Sequence, residues 1–249
     1  MTVPALAAEA LADDLRRLGV RSGDTLMIHA SLRAIGKVEC GADGVLDALE
    51  LAVNRLPEAE RLPLLAGATT PVFHEVGFFA EVFRRRSDTL VTGNPSGRFG
   101  ARGRLAQELL ADAPWHDYYG PGSPLDGFCQ FGGRVLRIGA DLDTTTVLHY
   151  AEYRAEVPNK RRVRRHYRCQ GVHGPETRVV ECLDDEHGIV DWPGEDYFAV
   201  ILRDYLATGR AKHGRVGLAD SELIEARDLV DFGTQWMNAR FRDFRSAAG

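Results

Sequence analysis

The sequence predicts an α/β fold, with helices alternating with short buried strands, and three observations carry that expectation. Two apolar runs, Thr25-Leu-Met-Ile-His29 and Arg134-Val-Leu-Arg-Ile-Gly139, are bounded by Gly and Asp turns, as buried strands are. Segments with apolar residues at helical spacing lie between and around them. The passages from strand to helix run through small residues, where α/β proteins place their ligands. The chain has 249 residues, 44% of them hydrophobic and 27% charged, which suits a filled core and not disorder. We read residues 1–249 as a single α/β domain with a hairpin-containing lobe around 160–190.

Taken in order, residues 4–18 place Leu6, Leu11, Leu15 and Leu18 at helical spacing, closed by Gly19. Residues 25–29 form a strand, 30–36 a small-residue connection, and 45–56 a helix. Residues 62–67 suit a short strand, 76–86 a helix, 93–100 a loop and 104–111 a helix. The aromatic stretch 115–123 is expected as a surface loop. After the strand at 134–139, Asp143 or Thr144 is a natural N-cap for a helix carrying His149 and Glu152 three residues apart on one face. Residues 163–169 and 177–183 suggest a hairpin, 197–207 a helix, 214–217 a strand, and 221–241 one long final helix capped by Asp220 or Ser221.

No run is long and apolar enough for a membrane span, and the N-terminus lacks the basic start of a signal peptide. Cys40, Cys129, Cys169 and Cys182 are scattered, which argues against a disulfide framework or zinc site and for a cytoplasmic protein without a metal. A net charge of −5 speaks against a nucleic-acid partner and suits a cationic small molecule, and the lack of an apolar span speaks against a membrane.

Several clusters could carry chemistry. Thr-Thr-Thr-x-x-His149 puts hydroxyls and an imidazole at a strand-to-helix junction, where a histidine can take a proton; it can equally be a packed helical histidine. Leu183-Asp-Asp-Glu-His187 offers a carboxylate to orient a base and further acids for a polycation, or a solvated turn. His29-Ala-Ser-Leu-Arg33 can cradle a phosphate or serve as an ordinary connection. Lys160-Arg-Arg-Val-Arg-Arg165 is a solvated strand edge or a grip on phosphates. Trp115, Tyr118 and Tyr119 either pack or form a sugar platform.

The order of these pieces resembles the aminoglycoside 3-N-acetyltransferase family. The matching segments are Gly-Asp-Thr-Leu-Met-Ile-His-Ala-Ser-Leu (23–32), Gly-Ala-Asp-Gly-Val-Leu-Asp-Ala-Leu (41–49), Val-Gly-Phe-Phe-Ala-Glu-Val-Phe-Arg-Arg (76–85) and Gly-Ser-Pro-Leu (122–125). The most specific is 133–154, with its Leu-His-Tyr-Ala-Glu helix after a strand and an Asp-containing turn. The resemblance spans nearly the whole chain. It implies the α/β/α sandwich of the antibiotic N-acetyltransferase type, not the GNAT fold, and acetyl-CoA as co-substrate. It also implies the 3-amine of 2-deoxystreptamine aminoglycosides as acceptor, with antibiotic resistance as outcome; a monomer or homodimer is expected.

Carried onto these residues, the resemblance makes His149 the general base, Asp184 its carboxylate partner and Thr146 a group near the thioester. With acetyl-CoA as donor, His29, Ser31, Leu32 and Arg33 of the 29–33 connection and Arg98 and Phe99 of the 93–100 loop are its candidate contacts. The acids Asp143, Glu152, Asp185 and Glu186 are expected to attract the drug or another polyamine. The pattern departs from the family at Ala30, Cys40, Asn94, Arg98 and Leu142, and residues 57–70 are short for it. Direct transfer is expected, because no cysteine sits in an activating motif. The alternatives are an N-acetyltransferase for a different amine and a non-catalytic protein that binds CoA or the antibiotic.

Overall fold

Leu11, Leu15 and Leu18 fall on one face of helix α1 (Ala8–Leu18), and Gly19 ends it at φ 110°, a left-handed turn that donates back to the Arg16 and Leu15 carbonyls. The computed structural model describes residues 4–53, 73–171 and 174–242. Strand β1 (Leu26–Ala30) leads into Ser31, whose side chain accepts the Ala34 N–H and opens the short helix α2 (Leu32–Ile35). Helices α3 (Ala42–Val53) and α4 (Phe73–Arg85) follow on either side of the undescribed residues 54–72. The short strand expected at 62–67 and the reduced segment 57–70 lie outside the described residues.

A small hairpin, β2 (Leu90–Val91) with β3 (Gly100–Ala101), brackets the 93–99 loop. Then come α5 (Ala106–Leu110), α6 (Pro124–Gln130), β4 (Arg134–Ile138) and α7 (Leu148–Arg154). The expected hairpin is present as β5 (Arg162–Gly171) and β6 (Gly174–Leu183), paired antiparallel with Arg165 opposite Val180. Helix α8 (Tyr197–Ala207), strands β7 (Lys212–Val216) and β8 (Ala219–Glu225), and helix α9 (Ala226–Arg240) complete the described elements.

Four strands make the central sheet in the order β1-β4-β8-β7, with β1 parallel to β4 and the other pairs antiparallel. Every residue of β4 is buried, as befits a strand covered on both faces. Leu136 and Ile138 join Val216, Ala219 and Leu223 against α1, α2 and α3. Their neighbours Val135 and Ile224 face the other way, against residues of α6, α7, α8 and α9. Helices therefore cover both faces of a mixed sheet, and alternation along β4 divides the two cores. Fully burying one such aliphatic side chain contributes about 1.5–3 kcal/mol.

Three expectations need correction. The segment 221–241 is not one helix: 219–225 is β8, and the helix begins at Ala226. Pairing with β4 and β7 outweighs the helical propensity of its Glu and Leu residues. The stretch 115–123 is a loop with His116, Pro121 and Gly122 exposed, but it is not a surface loop throughout, since Tyr118 is 1% exposed. Neither Asp143 nor Thr144 caps α7; Val147 stands at that position with no side-chain cap.

Candidate active site

The approach to α7 is fixed from inside the sheet. Arg137, fully buried on β4, donates to the carbonyls of Ala140 (2.7 Å) and Asp141 (2.8 Å) and pairs with Glu222 on β8 at 3.2 Å. Burial lowers the pKa of this guanidinium and raises that of Glu222. The carbonyls of Thr145 and Thr146 then accept the N–H groups of Leu148 and His149, starting the helix. Behind α7, a Cβ on Gly233 of α9 would stand 2.8 Å from Leu148, so this glycine allows the two helices to approach closely.

One turn of α7 places His149 and Glu152 on the same face. The Nδ1 of His149 lies 2.8 Å from Oε2 of Glu152, a carboxylate only 1% exposed. The other oxygen, Oε1, accepts the hydroxyl of Tyr197 at the start of α8, and that hydroxyl in turn accepts the Ile189 N–H at 3.1 Å. Burial beside Glu152 pushes the Tyr197 phenol well above its ordinary pKa, so it stays a donor. A carboxylate facing Nδ1 makes that nitrogen the N–H donor and leaves the lone pair on Nε2. The result is a Tyr197–Glu152–His149 chain ending in an imidazole able to accept a proton.

Aromatic rings bracket that imidazole. Tyr119 stacks on it with ring centroids 4.8 Å apart and planes 6° from parallel, and Phe198 meets it at 4.8 Å and 63°. The edge of Phe99 packs on Tyr119. Tyr118, one residue earlier, turns into a polar network instead: its hydroxyl bonds Asp185, with Arg165 and Ser96 each 3.2 Å away. Gly97 lets Tyr118 sit there, because a Cβ at 97 would lie 1.9 Å from the ring. Asn94 holds the same loop, its Oδ1 accepting the Ser96 N–H and its Nδ2 donating to the Trp115 carbonyl.

The acidic run is arranged differently from the sequence expectation. Asp184 does not serve as the partner of His149, whose Nδ1 is taken by Glu152. Its Oδ1 accepts the N–H groups of Glu186 and His187 at 3.1 Å each, folding 184–187 into a turn, and Oδ2 lies 3.4 Å from the His187 ring. Asp185 pairs with Arg165 at 2.6 Å. Glu152 is a buried link in the chain to Tyr197, so it cannot also be a free drug-binding acid. Asp143 and Glu186 are exposed. A cavity of about 720 Å³ is lined by Arg161, Asp184, His187, Asp191 and Trp192 among others, but by none of His149, Glu152 or Tyr197.

The basic run is also committed internally. Arg161 bonds Asp191 and the His187 and Gly188 carbonyls, Arg162 pairs with Asp117, Arg164 with Glu181, and Lys160 donates to the Tyr153 carbonyl. Among the residues expected at acetyl-CoA, Arg33 is exposed, Ser31 caps α2, and Arg98 and Phe99 are half-buried on the 93–99 loop. Leu32 packs at the edge of the core under α1 and α3. His29 is different: burial, and secondarily Arg137 beside it, push its pKa down to about 4, and its Nε2 has no partner among the described residues. A neutral buried imidazole cannot grip a phosphate by charge. Thr146 is half-buried, whereas the adjacent Thr145 hydroxyl is buried and unpartnered. No group of three His, Cys, Asp or Glu residues is placed to hold a metal among the described residues. Nor is any described helix long and apolar enough to cross a membrane.

Tyr197 escaped the sequence reading. Its only sequence signal was an Asp-Tyr pair opening a helix, with Asp196 capping Phe198.

A family model for aminoglycoside 3-N-acetyltransferase matches residues 60–238. The aminoglycoside N(3)-acetyltransferase VII of Streptomyces paromomycinus is 36% identical, across 96% of this chain and 94% of that protein. The aminoglycoside N(3)-acetyltransferase III of Serratia marcescens is 37% identical, across 94% of this chain and 97% of its own. Among solved structures, AAC-IIIb in binary complex with CoASH superposes with a TM-score of 0.85 at 32% identity, covering 99% of this chain and 100% of that one. AAC-VIa bound to sisomicin gives a TM-score of 0.85 at 32% identity, covering 96% and 100%. The mixed α/β architecture is that of these acetyltransferases, not the GNAT fold. The chain belongs to the aminoglycoside 3-N-acetyltransferase family.

Proposed function

From that membership and from the site geometry, we propose that this acetyltransferase moves the acetyl group of acetyl-CoA directly to the 3-amine of 2-deoxystreptamine aminoglycosides, with His149 as general base. The observation that carries the mechanism is the Tyr197–Glu152–His149 chain. An ammonium group cannot attack a thioester, so the acceptor first gives one proton to solvent to become a neutral amine, and sheds a second as its nitrogen bonds the acyl carbon. Nε2 of His149 takes that proton, and Glu152 balances the imidazolium that results. The carbon–sulfur bond then breaks, and the departing thiolate recovers a proton from His149 or solvent. A hydroxyl donor for the developing oxyanion is available at Thr146, with Thr145 beside it.

For acetyl-CoA, the end of β1 offers exposed Arg33 for phosphate charge and the Ser31–Leu32 backbone at the α2 start, and Arg98 and Phe99 on the 93–99 loop are the remaining candidates. The exposed acids Asp143 and Glu186 are the nearest in kind to what a polycationic drug requires, and the chain's net charge of −5 adds a general attraction. Modification of the 3-amine removes a positive charge from the drug, and resistance is the expected consequence.

The test is a thiol-release assay with acetyl-CoA and a panel of aminoglycosides, followed by assignment of the acetylated nitrogen by NMR. Acetylation at the 3-amine supports the reading. Release only with amines lacking 2-deoxystreptamine would replace the acceptor, and drug binding without turnover would favour sequestration.

A further inference from the structure

We infer that Tyr119 is a positioning residue for the acetyl transfer: its ring face holds the His149 imidazole and stabilises the imidazolium formed when the acceptor amine loses its proton. The inference rests on the reading of His149 as the base. The two rings lie 4.8 Å apart between centroids and 6° from parallel, an offset stack over the reacting heterocycle. Phe198 closes on the same imidazole at 63°, and Glu152 ties its Nδ1. The plane of the imidazole, its flank and one nitrogen are thus fixed, which leaves Nε2 as the reactive edge.

Tyr119 is itself held. The edge of Phe99 meets it at 5.6 Å and 89°, and Tyr118 at 4.5 Å and 69°. Tyr118 cannot swing away, because its hydroxyl is bonded to Asp185 and lies against Arg165 and Ser96. Two consecutive tyrosines therefore do different work: the first anchors the loop, and the second presents its face to His149. An aromatic face is the negative region of the ring quadrupole and favours a cation over a neutral partner. The imidazole becomes a cation only as the proton moves, so the contact strengthens toward the transition state and should act on kcat.

The experiment compares Tyr119→Leu, Tyr119→Met and Tyr119→Phe with wild type in steady-state acetylation of an aminoglycoside, alongside His149→Ala. Both aliphatic variants fill space without a ring face. Each should lose roughly tenfold in kcat, between the exposed and the desolvated scale of a cation–π contact, with both KM values within about twofold, as expected for an interaction that strengthens only in the transition state. Tyr119→Phe, which keeps the face and drops the hydroxyl, should recover most of that loss. Aliphatic variants that keep wild-type kcat would overturn the inference, as would Tyr119→Phe falling as far as they do. A raised KM at unchanged kcat would also overturn it, by making Tyr119 a substrate contact. If His149→Ala retains turnover, the base assignment fails first; if it is inactive while Tyr119→Leu matches wild type, only the role of Tyr119 fails.

Discussion

Replacing Glu152 by glutamine changes one atom of the site, and its effect can be worked out from the hydrogen bonds. The carboxylate is 1% exposed and accepts twice, from Tyr197 on Oε1 and from Nδ1 of His149 on Oε2. A glutamine has one acceptor and one donor end. Its NH2 turned toward Tyr197 would leave the phenol proton without an acceptor, a buried loss of about 1–3 kcal/mol. The favoured arrangement keeps the amide oxygen on Tyr197 and points NH2 at His149. Nδ1 must then accept, the ring proton moves to Nε2, and the lone pair needed for proton abstraction is gone. The balancing charge is lost as well, worth about 4 kcal/mol for charges 4 Å apart at an effective dielectric of 20. Together these predict that Glu152→Gln lowers kcat by about 10²–10⁴, the upper end being what the wrong tautomer costs in comparable triads. Both KM values should move less than about threefold, because the group does not contact substrate. Continuous thiol detection on purified enzyme gives both parameters, and a kcat within about fivefold of wild type would refute the tautomer argument.

The same geometry makes three further predictions. Tyr197→Phe strips the donor from Glu152 and the acceptor from the Ile189 N–H, so it should cost about 1–3 kcal/mol of stability in urea unfolding and lower kcat as well; an unchanged midpoint and rate would count against the chain. His29 has a folded-state pKa of about 4 against a usual 6.5, so its neutral form favours the fold above pH 6.5 and that stability drains as pH falls toward 4. The expected loss is about 2 kcal/mol by pH 5, and His29→Asn should flatten the pH dependence of the unfolding midpoint between pH 7 and 5; an equal slope in the variant would show that His29 is not its source. Gly97→Ala would force a methyl into the Tyr118 ring, which Asp185 and Arg165 hold in place, so thermal unfolding should drop by about 2–4 °C for each kcal/mol of strain.

What the sequence disclosed follows how local each feature is. His149 and Glu152 were readable as neighbours because helical spacing alone brings i and i+3 together. Their pairing was still missed, since the acidic run at 184–186 offered a more conspicuous carboxylate. That run is claimed by Arg165 across the β5–β6 hairpin and by its own turn, contacts that depend on strand register. Tyr197 reaches Glu152 only because the start of α8 and helix α7 share one core, and no spacing rule spans that interval. The fold shows the same division. Strand β4 was legible from its short, mainly aliphatic run between glycines, whereas β8 was hidden in a Glu- and Leu-rich segment whose alternation of buried Ala219, Ser221 and Leu223 becomes clear only between β4 and β7. The stacking of Tyr119 on His149 likewise required the 115–123 segment to fold inward.

His149 as the proton acceptor is tested most directly by turnover of His149→Ala with acetyl-CoA and an aminoglycoside. Loss of a general base predicts a kcat lower by about 10²–10⁴ with drug affinity retained in calorimetry. A variant that released CoA at the wild-type rate would contradict the account.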